Sequence, residues 1–488
     1  MKKLSLVVLL VVLAILVVPA LVSALVQATP ITIEDTTNIL QGIGATNNRN
    51  TFCANGRHWE IYTNVGSDIV YRSATEEDPT TWTAETIIAA DTVGYGPELS
   101  IWFDDYSNTI HYARHDYVNK RTLYRMGTPG TGGTITWAAA EQVVHATPSN
   151  LVTFRISMCT DIDGYPWVAW VDNDAAVDNT TGILYIESSS TKDGTWTEWA
   201  YENITTTGYH TWFVQINPLS RAPYPRCEVE YTIEKLEDPN SHKVALMASD
   251  ETDNFTATYA IAALGTVSHD RPDAFSFNNR GSSAMLGTYT DNSGTVQYRG
   301  RSAAQTWSTA SAAEAILTGV GSIGVWRPTF SSNGGAYGTD YCIVSDNFGI
   351  VSMTRSYTGT WSSPETVYIV TAGDTINRHN ASYESEIYAG TPLGLTFQVT
   401  EAGGGDIIYY WWNYNGTWGY YEGTTPAVET TTFNLAMILP YVFIGIALVA
   451  IIGAGLEGVT LAGIIVLVIS VVVTVVGVGV ILDAINAW

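Results

Sequence analysis

Between residues 378 and 386 the chain sets Arg378, His379, Tyr383, Glu384 and Glu386, the groups that proton transfer on a sugar acid requires. An arginine fork neutralises a uronate carboxylate through two hydrogen bonds, and a His/Tyr pair can then move the proton. Neighbours on a regular strand face opposite sides, so Tyr383 and Glu384 do not share a face there. His210 is a second lone histidine. Three further arginines, Arg49, Arg155 and Arg327, lie in strand-like stretches comparable to that of Arg378. Converging on one mouth, the four would form an anion site. Dispersed, they cap strands or pair with nearby Asp and Glu. The four cysteines, Cys53, Cys159, Cys227 and Cys342, have no metal-ligand spacing and the eight histidines are scattered, so neither a metal nor a cofactor is expected. An oxidising compartment would allow disulfides. The cysteines fall in four different repeat units, however, and buried thiols are expected.

The scaffold for these residues is repetitive. A Trp preceded by Thr recurs at Trp82, Trp137, Trp196, Trp307, Trp361 and Trp418, with Asn254-Phe255 at the missing step, at spacings of 52 to 59 residues. Ahead of each aromatic runs a strand-like segment, as in Ile69-Val70-Tyr71-Arg72, Leu123-Tyr124-Arg125 and Val296-Gln297-Tyr298-Arg299. Two more strands fit upstream, shown by Thr153–Thr160, the turn Asp161-Ile162-Asp163-Gly164, and Trp167–Val171. Four strands in each of seven units predict an all-β, seven-bladed β-propeller, in which each blade covers its neighbour and the recurrent aromatic fills the gap. Tandem β-sandwiches would need about 100 residues per domain, roughly twice this period. Whether Pro30–Asp35 adds a closing strand is left open by the sequence.

At this point the chain resembles the sialidase-like propellers, whose repeats carry a turn ending in Gly-x-Thr-Trp. The motif occurs as Asp193-Gly194-Thr195-Trp196, Gly359-Thr360-Trp361 and Asn415-Gly416-Thr417-Trp418, and Asp161 to Trp170 looks like the first hairpin of such a blade. Phe154-Arg155-Ile156-Ser157 is similar to the family's Phe/Tyr-Arg-Ile-Pro, with Ser157 in place of proline and in the third repeat instead of the first. The resemblance implies arginines on inner strands that hold a substrate carboxylate, with Tyr383 and Glu384 or Glu386 as the Tyr–Glu pair. The family's full Ser-x-Asp-x-Gly-x-x-Trp box is absent.

Two further features bear on recognition. Tyr409-Tyr410-Trp411-Trp412-Asn413-Tyr414 puts aromatics on both faces of one strand, one for packing and one that could stack on sugars. Sequons at Asn179, Asn203, Asn254, Asn380 and Asn415 are candidate glycan acceptors.

The ends address the chain. Residues 1–28 read as a signal peptide, with Lys2 and Lys3 before the apolar Leu6–Val18 and small residues at Ser23-Ala24 and Ala28. Residues 29–48 form an N-terminal segment, 49–422 the propeller, and 423–433 a Thr/Pro-rich stalk. Residues 434–488 hold two apolar runs separated by Gly455-Leu456-Glu457-Gly458, a C-terminal transmembrane α-helical hairpin. A net charge of −25 makes nucleic acid a poor partner. The sequence therefore points to a membrane-anchored extracellular protein, its bilayer contact through residues 434–488, that recognises a glycan or surface receptor as an adhesin, envelope component or virion spike. The alternatives are a sialidase-like glycoside hydrolase or polysaccharide lyase, and a structural surface-lattice subunit. Homo-oligomers are compatible with each.

Overall fold

The computed structural model describes residues 30–36, 43, 49–90, 99–116, 118–138, 140–146, 151–174, 182–196, 209–218, 227–235, 238–248, 275–280, 284–291, 293–302, 312–318, 327–332, 339–356, 359–382, 393–414 and 417–418. These all belong to one compact unit, Thr29–Thr424. The expected signal peptide, stalk and apolar hairpin lie outside the described residues, as do Phe255, Trp307, Tyr383, Glu384, Glu386, Asn179, Asn203, Asn254 and Asn415. Among the described residues no helix is long and apolar enough to cross a membrane.

Among the described residues every regular element is a strand. A lone N-terminal strand, β1 (Ile31–Thr36), precedes a first sheet of β2 (Thr51–Ala54), β3 (Arg57–Thr63), β4 (Ile69–Thr75), β5 (Asp78–Trp82) and β6 (Thr86–Ala89). The second holds β7 (Leu99–Asp104), β8 (Thr109–Asp116), β9 (Arg121–Pro129), β10 (Ile135–Trp137) and β11 (Gln142–Ala146). The third is β12 (Leu151–Thr160), β13 (Pro166–Asp174) and β14 (Gly182–Ser188); the fourth is β15 (Tyr209–Pro218), β16 (Cys227–Lys235) and β17 (Asp238–Ala248). The fifth runs β18 (Phe275–Arg280), β19 (Ala284–Thr290), β20 (Val296–Ser302) and β21 (Glu314–Leu317). The sixth is β22 (Arg327–Ser332), β23 (Thr339–Ser345), β24 (Gly349–Ser356) and β25 (Glu365–Ile369). The last has β26 (Thr375–Ala381), β27 (Leu393–Thr400), β28 (Asp406–Tyr414) and β29 (Thr417–Trp418). Consecutive strands pair antiparallel, and β1 joins β28 with Ile31 opposite Tyr410. The N-terminal segment thus contributes a strand to the last sheet, the point that the sequence left open. The chain is an all-β propeller.

Each sheet presents apolar side chains on both faces because each is covered twice. Phe52, Trp59 and Ile61 of the first sheet pack with Leu99, Ile101 and Tyr112 of the second. A larger cluster carries Tyr124, Trp167, Trp170, Val214 and Val229 through the second, third and fourth sheets. Val296 joins Cys342 and Met353, and Tyr341 and Ile343 join Leu395 and Phe397. Tyr62 and Val70 meet Ile408 and Tyr410, bringing the last sheet against the first. The recurrent Trp does the same work at several seams. Trp82 meets Tyr410 edge-on at 4.8 Å, Trp196 meets Tyr124 at 5.2 Å, and Trp361 meets Tyr298 at 5.3 Å. In each pair the Tyr belongs to the third strand of the preceding sheet, as an interleaved stack requires.

The tight turns are set locally. Asp161 Oδ1 accepts the N–H groups of Asp163 at 3.0 Å and Tyr165 at 2.9 Å, while Oδ2 accepts the Trp167 indole N–H at 3.1 Å. Gly164, at φ +83°, supplies the left-handed residue that closes this β12–β13 turn. Asp291 repeats the device with Ser293, Thr295 and the Gln297 side chain between β19 and β20.

Candidate functional site

At one level of each sheet a fully buried polar side chain stands on the first strand or, for Asn50, just before it: Asn50 ahead of β2, then Ser100, Ser157, Gln215, Ser276, Thr329 and Asn380. Cross-strand register identifies the level. Ser100 faces Ala113 and then Tyr124, Ser276 faces Thr288 and then Tyr298, and Asn380 faces Thr396 and then Tyr410. In four of the seven the polar side chain accepts a backbone N–H of the next first strand. Ser100 Oγ accepts from Met158 at 3.2 Å, Ser157 Oγ from Ile216 at 3.1 Å, Gln215 Oε1 from Phe277 at 2.8 Å, and Ser276 Oγ from Phe330 at 3.0 Å. This girdle was missed by sequence reasoning, although its signal is present: a polar residue between two apolar ones, as in Leu99-Ser100-Ile101, Ile156-Ser157-Met158, Val214-Gln215-Ile216 and Phe275-Ser276-Phe277.

The girdle gives a ruler for the arginines. Arg155, Arg327 and Arg378 each stand two residues before a girdle residue, namely Ser157, Thr329 and Asn380. By register Arg327, opposite Ser345, and Arg378, opposite Gln398, stand at one level on β22 and β26; on β12 that level belongs to Phe154, opposite Val171, with Arg155 the extra residue next to it. Arg155 is a bulge residue with a left-handed φ of 49°, between Phe154 and Ile156 in the β12 ladder. A second bulge falls between Ile376 and Arg378 in β26. Bulges re-aim side chains out of the regular alternation; here the extra residue is Arg155 itself in β12 and Asn377, next to Arg378, in β26. The Arg155 guanidinium lies 4.5 Å over the ring of Phe213, which stands two residues before Gln215 on β15. Arg155 and Arg378 are half-buried, and Arg327 opens β22 opposite Ser345.

Arg49 departs from this arrangement, and its assignment to a ligand is corrected. It is 2% exposed. Its Nη1 donates to the Met158 carbonyl at 2.8 Å, its Nη2 donates to Asn217 Oδ1, and Trp102 covers the guanidinium at 4.2 Å. Asn217 in turn donates to the buried Glu230 carboxylate at 2.8 Å. One side chain therefore ties the segment before β2 to β7, β12 and β15.

Other expectations change in the same way. His379 is fully buried, with Ser345 Oγ 2.7 Å from Nδ1 and Thr329 Oγ1 3.0 Å from Nε2. The Ile343 carbonyl 3.3 Å from Nε2 can only accept, which places the proton on Nε2 and leaves Nδ1 to accept from Ser345. The ring pins β26 to the sixth sheet and is not available to substrate. Asn380 is fully buried and its Nδ2, the atom a glycan would occupy, donates to the Ile43 carbonyl at 2.5 Å, so it is no acceptor in the folded chain. Tyr410, Trp411 and Trp412 are buried and the half-buried Tyr409 stacks on Phe397, so these rings serve packing. His210 lies on β15. All four cysteines are buried thiols. Among the described residues no group of His, Cys, Asp or Glu is arranged to hold a metal ion.

No family model matches the sequence, and no curated protein matches it. Solved structures match through the fold. The BP39L lectin from Burkholderia pseudomallei is 11% identical, with 77% of this chain and 98% of the lectin covered at a TM-score of 0.53. An ulvan lyase of polysaccharide lyase family PL25 is 7% identical over 79% of this chain and 95% of its own, at a TM-score of 0.48. A lectin from Aleuria aurantia is 10% identical over 69% and 98%, at 0.40. At such identities a likeness carries the fold and no residue roles. None of the three is a sialidase, and the resemblance to sialidase-like repeats stands at the level of the propeller.

Proposed function

We propose that the chain is an exported recognition protein that binds acidic glycans, free or on a receptor, through Arg155, Arg327 and Arg378 at one rim of a seven-bladed propeller. The carrying observation is that each of the three arginines stands two residues before a girdle position on a first strand, one of them a bulge residue and one next to a bulge. Seven sheets and seven girdle residues support the blade count. A net charge of −25 repels anions over most of the surface, which favours an acidic ligand where arginines recur on first strands. The lectin likeness contributes the fold alone. Residues 1–28 export the propeller and the apolar runs within 434–488 hold it at a membrane.

The ligand test is a glycan array probed with residues 29–424. Binding confined to carboxylated or sulfated glycans is expected, weakened about tenfold or more by Arg155→Ala or Arg378→Ala. Equal binding to neutral glycans, or indifference to both substitutions, would refute the arginine rim. Release of product from sialosides or uronate polysaccharides would move the reading to an enzyme. Topology is tested separately, with protease added outside intact cells. Digestion of the propeller is expected, and its protection would overturn export.

A further inference from the structure

Cys159 and Cys227 are the only pair of thiols that the described structure brings into contact. Cys159 lies on β12, opposite Trp167, and Cys227 opens β16, opposite Pro218. Both are fully buried, and their sulfur atoms are 3.7 Å apart across the seam between the third and fourth sheets. A disulfide requires sulfur atoms about 2.05 Å apart, a gap that small side-chain rotations can close when the backbones already sit side by side. We propose that these two residues form a disulfide that staples the third sheet to the fourth. This goes beyond glycan recognition. Its occurrence in the cell, though not the capacity to form it, rests on the reading that the chain is exported.

The chemistry balances with a disulfide oxidant, as found in secretory compartments or supplied as glutathione disulfide. The two Cys S–H bonds break and one S–S bond forms. The oxidant's S–S bond takes the two electrons and two protons and leaves as two thiols. The seam supplies the timing. Val214, Ile216, Val229 and Tyr231 close over the sulfur atoms, so exchange must precede final docking of the two sheets, and the finished bond is then shielded from reductant. The bridge spans 68 positions of chain, a long loop whose constraint lowers the entropy of the unfolded state. Cys53 and Cys342 serve as internal controls. Cys53 lies beside His58, its sulfur 3.4 Å from Nδ1, and burial pushes the Cys342 thiol up to about 12.

The test counts thiols by alkylation in denaturant, followed by mass spectrometry, on full-length protein from an oxidising export host and on reduced protein refolded with glutathione disulfide. Two alkylated cysteines, Cys53 and Cys342, and a linked peptide pair containing Cys159 and Cys227 are expected in both samples. Reductant should lower the Tm by on the order of 5 °C, and should have no such effect on a Cys159→Ala/Cys227→Ala double variant. Four alkylated cysteines after oxidative refolding would overturn the proposal. Two after refolding but four in the exported sample would uphold the site and count against the export reading instead.

Discussion

Arg49→Ala should destabilise the protein by about 4 kcal/mol, read as a fall in the urea midpoint at unchanged m-value. The substitution removes a charge-assisted bond to a carbonyl, a second to Asn217, and the guanidinium that lies against Trp102. Each such bond to a charged group is worth about 1.5–3 kcal/mol, and the buried acceptors left behind find no water. Arg49→Lys should recover little, because an ammonium cannot reach both acceptors with a planar fork. Arg155→Ala should lower the midpoint less than Arg49→Ala while weakening the ligand, since Arg155 is half-buried where Arg49 is 2% exposed. The pair of variants separates an arginine that holds the fold from one proposed to meet a ligand. Wild-type stability in Arg49→Ala would remove the structural role assigned here.

The second large effect is on pH. Glu60 lies on β3, fully buried, and accepts a hydrogen bond from Thr396 Oγ1 at 2.5 Å. Burial pushes its carboxyl well above the usual carboxylate range, with the Thr396 and Thr51 hydroxyls opposing. Unfolded, the same group titrates near 4.5. Between that value and the folded one the native state binds more protons than the unfolded state, so stability falls as pH rises. The slope is about 1.4 kcal/mol per pH unit for one such group. Glu34 on β1 acts in the same direction with smaller weight, being less buried. Burial and the neighbouring Glu85 charge raise it to about 7, so its contribution is lost between 4.5 and 7. Opposing both, Asp116, paired with Arg121, is held down to about 2 despite its burial, and it loses its contribution only as acid reaches that value. Burial also lowers His58 to about 3 and His111 and His115 to about 4, and these contributions rise with pH up to the ordinary imidazole value. The share of Glu60 is therefore read as the difference between wild type and a Glu60 variant. Glu60→Gln should remove a component that falls with pH, so its urea midpoints should rise relative to wild type from pH 4 to pH 8, whereas parallel curves for the two proteins would exclude Glu60 as the source.

Much of the scaffold was legible because the same physical task recurs. Tyr71, Tyr124 and Tyr298 lie on third strands where the spacing predicts them, and Trp82, Trp196 and Trp361 fill seams between sheets. The closing strand was not legible, since six ordinary residues declare themselves only beside β28, which lies almost the full length of the domain away. The arginines were half legible. Residue type and strand placement select Arg49 with Arg155, but the path of a long side chain decides which one is consumed by the protein itself. Asn380 fails for a related reason, because a sequon spans three residues and carries no record of burial. Period-two alternation assigns Trp411 and Trp412 to opposite faces, yet both faces of a stacked sheet are covered, and both rings are lost to packing.

The pairing of β1 with β28 also sets a clock. In the order of synthesis β1 emerges first and β28 nearly last, so at roughly 5–20 residues per second β1 waits roughly 20–75 s for its partner. During that interval the intervening hairpins can assemble from neighbours in sequence, while β1 keeps an unsatisfied edge. Only a chain completed through Tyr414 can cover it. A chain interrupted before β28 leaves the edges of β1 and β27 open, each able to pair with another copy. For this architecture a missing tail is a hazard shared by the whole ring, and completeness of the polypeptide is checked by whether its first strand finds its last.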